Sequence, residues 1–161
     1  MQPEMRKNIH ALFDRHGTIK RTVQLTDNGY IAVTESSDPA VAPALREHRH
    51  QMQARIKHGP MVRHWDPAFA EYVEHASDIE HTMEPTEKGL RMVVAGKTPD
   101  AAKVAQNHAK AVTDFATNGW EAHDRSHPPA LTSTPPQTGH GCCGSGMRGK
   151  GCGRGKSRST E

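Results

Sequence analysis

Twelve histidines in a chain of 161 residues are the first chemistry this sequence offers. Imidazole changes charge near neutral pH and is a borderline ligand suited to zinc, copper, nickel and haem iron, so metal or haem binding is the first activity to test. Two of the twelve interrupt apolar stripes at helical spacing. His48 sits among Val41, Leu45, Met52 and Ile56, and His108 among Ala101, Val104, Ala105, Val112 and Phe115. His16 and His75 fall at matching places near the ends of two shorter helical segments. Facing helices are a common place to build a metal or haem site, so these four are the candidate ligands of the folded body, with Met52 a neighbouring or alternative axial ligand. The competing reading of any buried histidine is a packed ring that bonds one nitrogen to a backbone carbonyl. The other histidines considered (His10, His50, His58, His64, His81, His123 and His127) fall where exposed faces or loops are expected.

A second set of ligand types lies near the C-terminus. His140, Cys142, Cys143 and Cys152, with Met147 beside them, supply the donors of a Cys₃His zinc site or a thiolate cluster for Cu(I). Adjacent cysteines followed by a Gly-rich gap fit no standard zinc knuckle, so capture of a soft metal by a mobile arm is the better functional reading. The cofactor expectation is a transition metal, zinc or copper, or haem b. Covalent haem attachment is excluded because no C-x-x-C-H occurs, and neither H-E-x-x-H nor a nucleophile elbow is present. Gly151 to Ser157 reads GCGRGKS, but a phosphate-binding loop would need Gly where Lys150 stands. No catalytic residue is assigned, and the reading leans away from an enzyme.

Composition narrows the classes further. Aromatics are 4% of the chain and hydrophobic residues 34%, little material for an aromatic-walled cofactor cavity. The formal charge of +3 is concentrated in the last 21 residues, which carry +4 and leave the first 140 at −1. A near-neutral body argues against a nucleic-acid-binding face, leaving at most weak, salt-sensitive contacts through the tail. The sequence shows no apolar run long enough for a membrane span and no secretory h-region after its first Met. With all three cysteines in the tail, a cytoplasmic location is expected, or a periplasmic one if the start codon is misassigned.

The elements that must position these side chains can be read from period and punctuation. A first helix is expected from Pro3 to His16, closed by Gly17. From Thr18 the period becomes two, and Asn28-Gly29 between alternating runs predicts a hairpin with a type I′ turn. Asp38-Pro39 predicts the cap and first position of a second helix ending near His58, unless Pro43 delays its start. Asp66-Pro67 opens a third helix, and a fourth runs from Pro99 to Asn118, closed by Gly119, with Trp120 folding back as an anchor.

Shifting the chain by sixty residues superposes Ile19, Thr22, Thr26, Gly29, Val33, Pro39, Ala42 and His48 on Ile79, Thr82, Thr86, Gly89, Val93, Pro99, Ala102 and His108. Helix, hairpin, helix is therefore read as a unit present twice, in halves of about 3–60 and 61–122. The expected fold is α+β: two such repeats form a four-stranded antiparallel sheet packed with helices about a pseudo-two-fold axis. Residues 1–125 make this domain, 126–139 a Pro/Ser/Thr linker, and 140–161 a disordered Gly/Cys-rich basic tail.

This layout resembles a group of uncharacterised small bacterial proteins with a tandem hairpin-helix repeat. The resemblance covers the body and implies no activity. The leading expectation is a small metal- or haem-binding protein using the paired helix histidines. The alternative is a non-enzymatic interaction or scaffold module that docks a protein partner.

Overall fold

The computed structural model describes residues 3–58 and 63–131. Its order is α1 (Pro3–Asp14), β1 (Ile19–Thr26), β2 (Gly29–Ser36), α2 (Val41–His58), α3 (Pro67–Glu74), β3 (Ile79–Thr86), β4 (Gly89–Gly96), α4 (Pro99–Asn118) and α5 (Trp120–His123), with short 3₁₀ turns before β1 and β3. The fold is α+β. All four strands pair antiparallel in the spatial order β1-β2-β4-β3, so the two hairpins meet through their second strands. None of the described helices is long and apolar enough to cross a membrane.

Alternation along the strands decides which face is covered. Tyr30, Ala32, Thr34 and Ser36 of β2 are buried, as are Leu90 and Val94 of β4. The residues between them are half-buried. This is the pattern of a sheet covered chiefly on one side. Against the covered face lies α4, whose Ala101, Ala105 and Ala109 let the helix backbone come close. Tyr30, Tyr72, Ile79, Val94 and Val104 fill the space between them. Small residues on the helix and large ones on the sheet and α3 are a workable division of volume for a core with few aromatics.

The helix starts follow local hydrogen bonding. Asp66 accepts from the Ala68 amide ahead of Pro67, and Thr98 accepts from the Ala101 amide ahead of Pro99; each cap satisfies an amide that the first turn leaves free. Helix α2 differs from expectation. Asp38 bonds the Ala40 amide through its carboxylate instead of capping a helix at Pro39, and the helix begins at Val41. Pro43 then falls in the first turn, where its missing N–H is no loss. Helix α1 ends at Asp14, two residues before His16, because the chain tightens there into a 3₁₀ turn.

The first hairpin forms where expected, but with a different turn. Thr26 pairs with Gly29, so Asp27 and Asn28 are the loop residues. Neither has positive φ, so the turn is not type I′. Gly29 serves another purpose: a Cβ there would collide with the Val94 carbonyl of β4, and one at Gly89 would collide with the Thr34 carbonyl of β2. Glycine permits the close approach of the two central strands.

Candidate functional site

All four strands and helices α1 to α4 contribute side chains to one cavity of about 210 Å³ between the sheet and the helices. Helix α2 supplies His48, Arg49 and Met52, α4 supplies His108, β1 supplies Arg21, and β3 supplies His81. Phe13, Tyr30, Tyr72 and Phe115 also line it, four of the chain's five Phe and Tyr residues. The few aromatics are thus concentrated where a cavity wall needs them.

His48 and His108, the paired candidates from the sequence, both reach this cavity. In each the Nδ1 atom is shut off from solvent and has no hydrogen-bond partner among the described residues. A buried polar atom left this way costs about 1–3 kcal/mol, so a hydrogen-bond or metal partner for either nitrogen would be an energetic gain. The His108 ring stacks on Tyr72 with centroids 3.9 Å apart and meets the edge of Phe69 at 5.0 Å. Burial, with Arg49 adding to it, lowers the His48 pKa to about 4. Burial, followed by Arg21, His81 and Arg49, lowers that of His108 to about 3. Both rings are neutral at pH 7, the state in which imidazole ligates a metal.

The other two sequence candidates are not equivalent to these. His16 lines the cavity, but its Nδ1 is 2.8 Å from the Phe13 carbonyl. His75 caps α3, its backbone amide bonded to the Glu71 carbonyl, and does not line the cavity. The tail candidates His140, Cys142, Cys143 and Cys152 lie outside the described residues. Among the described residues, no group of three or more His, Cys, Asp or Glu side chains is placed to hold a metal ion.

Three cavity residues escaped the sequence reading. His81 was expected on an exposed face; instead it points inward from β3 between Ile79 and Met83, its Nε2 bonded to the Tyr72 hydroxyl. Burial, with Arg49 adding to it, brings its pKa to about 4. Arg21 occupies the same inward register on β1 and donates to the hydroxyls of Thr34 (2.8 Å) and Thr113 (3.2 Å). Arg49 follows His48, and its buried Nε has no partner among the described residues. The available signal was the apolar alternation on either side of Arg21 and His81.

His127 is the second correction. It was expected to be solvated in a linker beginning at Ser126, yet its Nδ1 is 2.8 Å from Asp66 and its Nε2 3.2 Å from Asp114. Asp66 is fully buried and also accepts from Arg63 at 3.1 Å. The guanidinium of Arg63 lies over Trp65, 4.2 Å from the ring centroid, and near Phe69 and Phe115. Burial alone would raise the Asp66 pKa, but hydrogen bonds from the His127 ring and amide and from Arg63 outweigh it and leave the pKa lowered. Further along, Glu71 accepts from the amides of Ala130 and Leu131. These bonds clasp residues 127–131 to α3 and α4.

Compared with protein-family models, curated proteins and solved structures, the chain gives no match.

Proposed function

We propose that the protein binds a transition metal in its interior cavity through the imidazoles of His48 and His108. The observation that carries this reading is that His48 and His108 line one cavity and that each has a buried Nδ1 with no hydrogen-bond partner among the described residues. Copper(I) suits the donors best. Two neutral imidazoles and the Met52 thioether, one turn along α2 from His48, make a soft, uncharged set, whereas zinc favours four ligands that usually include thiolate or carboxylate. Arg21 and Arg49 oppose any cation in the cavity, and a monovalent ion is opposed least. Haem b would use the same two nitrogens as axial ligands, but it needs more room than about 210 Å³, because pockets for drug-sized ligands already run to roughly 300–1,000 Å³. The tail residues His140, Cys142, Cys143 and Cys152 would form a second, softer site that captures Cu(I).

We also read the body as a duplicated helix-hairpin-helix unit. Strands β3 and β4 start sixty residues after β1 and β2. The register of β2 on β4 sets Ala32 opposite Met92, itself sixty residues on, as a two-fold axis between those strands requires. The contacts of Gly29 with Val94 and of Gly89 with Thr34 exchange under the same shift. On this reading His48 and His108 are equivalent positions that approach the axis together.

The test is Cu(I) and Zn(II) uptake by the full chain, with absorbance near the Soret band after haem addition. A variant with Cys142, Cys143 and Cys152 changed to Ser isolates the body site. In that background, His48→Ala and His108→Ala should each abolish uptake; unchanged uptake of metal and haem in both would overturn the reading.

A further inference from the structure

The cavity lined by His48 and His108 is also lined by two guanidiniums, and among the described residues no carboxylate lines it. Among the described residues Arg21 bonds neutral hydroxyls, those of Thr34, Thr113 and Tyr30. The charge of Arg49 acts on the phenols of Tyr30 and Tyr72, and its Nε is buried without a hydrogen-bond partner among the described residues. Burial raises the pKa of both phenols, so they stay protonated at neutral pH and do not act as counter-ions. Two half-buried positive charges thus line one space with no opposite charge on its walls among the described residues. A partly desolvated charge without a counter-ion is costly, and an anion entering the cavity offsets that cost.

The remainder of the lining defines what kind of anion. Ile9, Leu12, Leu45, Ile56 and Val112 cover the side formed by α1, α2 and α4. A strongly hydrated inorganic ion gains little from such a wall, whereas an organic acid buries its hydrocarbon part there. We propose that the cavity is a binding site for a small organic monocarboxylate, its carboxylate held between Arg49 and Arg21 and its apolar body against α1 and α2. Guanidinium groups match carboxylates geometrically through paired N–H donors. His48 and His108 can add N–H donors from their neutral rings. The site requires the cavity but no metal, so it goes beyond the metal reading and is tested apart from it.

The experiment is calorimetric titration of the EDTA-treated full chain with sodium benzoate and sodium butyrate. Benzyl alcohol serves as the uncharged counterpart of benzoate, and sodium phosphate as an inorganic anion. Benzoate or butyrate is expected to bind with one-to-one stoichiometry, with benzyl alcohol and phosphate each weaker by about tenfold or more. Arg49→Gln is the decisive variant, because Arg21 also ties β1 to α4 and its loss could unfold the protein. Arg49→Gln should weaken carboxylate binding by about tenfold, and Arg49→Lys by less. Equal binding of benzyl alcohol, equal binding of phosphate, undiminished binding by Arg49→Gln, or no binding of either carboxylate would overturn the proposal. With Cys142, Cys143 and Cys152 changed to Ser, carboxylate binding that survives in His48→Ala while Cu(I) uptake is lost would separate this site from the metal reading.

Discussion

The His108 ring lies face to face with Tyr72, centroids 3.9 Å apart and planes at 21°, while the Tyr72 hydroxyl bonds His81 on the far edge strand. One side chain from α3 therefore orients two of the four histidines that line the cavity, one by stacking and the other by a hydrogen bond. That division of labour can be separated by mutation.

Tyr72→Phe keeps the stack and removes the hydroxyl, leaving His81 Nε2 without its partner. The expected loss is about 1–2 kcal/mol in urea unfolding. Tyr72→Ala removes the stack and opens a void beside Val104 and Ala105, for an expected loss of about 3–5 kcal/mol. Equal effects of the two would show that the ring contributes nothing beyond its hydroxyl.

Acid should unfold this protein earlier than its carboxylates alone would require. The folded pKa values of His48, His81 and His108 are about 4, 4 and 3, all below the ordinary 6.5 of the unfolded chain. Above pH 6.5 neither state is protonated at these sites, and their stabilising effect is fully present. As pH falls from 6.5 toward 4, the unfolded chain takes up protons that the folded one refuses. Stability then drops by as much as about 4 kcal/mol per pH unit if all three contribute fully. Replacing His48 and His108 with Gln should flatten this dependence in denaturant midpoints measured from pH 7.5 to 4.5.

Asp66 joins the cap of α3, the Arg63 guanidinium and His127. Asp66→Ala is expected to cost about 3 kcal/mol, because it removes the cap and leaves a half-buried cation without its partner. Residues 127–131 should then become sensitive to limited proteolysis. Because the Asp66 pKa is lowered in the fold, its contribution is present above the ordinary carboxylate range and disappears as pH falls through its folded pKa. The contribution of Asp66 itself is therefore not lost across the histidine range between pH 6.5 and 4 but only below it.

Gly119 ends α4 at φ 55°, and a Cβ there would strike the His16 ring. Gly119→Ala is expected to destabilise by about 2 kcal/mol or more, since backbone strain and a clash coincide. At Gly17 a Cβ would meet nothing within 4 Å, so Gly17→Ala should be neutral or slightly stabilising. Thermal melts of the two variants compare them directly.

Much of the fold was legible because its signals are local. Period-two alternation marked the first hairpin and the sixty-residue shift the second, and Asp66-Pro67 and Pro99 marked helix starts that the structure reproduces. The Trp120 anchor is present, its ring stacked on Phe13 at 4.9 Å and its Nε1 bonded to Asp14. Where prediction failed, a local rule met a tertiary constraint. The glycine after Asn28 signalled a type I′ turn, but it is needed for the neighbouring strand's carbonyl.

The sequence by itself placed His48 and His108 on apolar helix faces, because a 3.6-residue period assigns a side to every side chain of a helix. It did not say what would face them. An alternating strand has two sides, and His81 read as solvent-facing, while the chemistry of Arg21 went unremarked, until the sheet order β1-β2-β4-β3 put their side of each edge strand under the helices. The same holds for His127, whose neighbours Asp66 and Asp114 lie 61 and 13 residues away along the chain. Secondary structure follows from neighbours in sequence; the charge and hydrogen bonding of an interior follow from which distant segments meet, and only tertiary packing decides that.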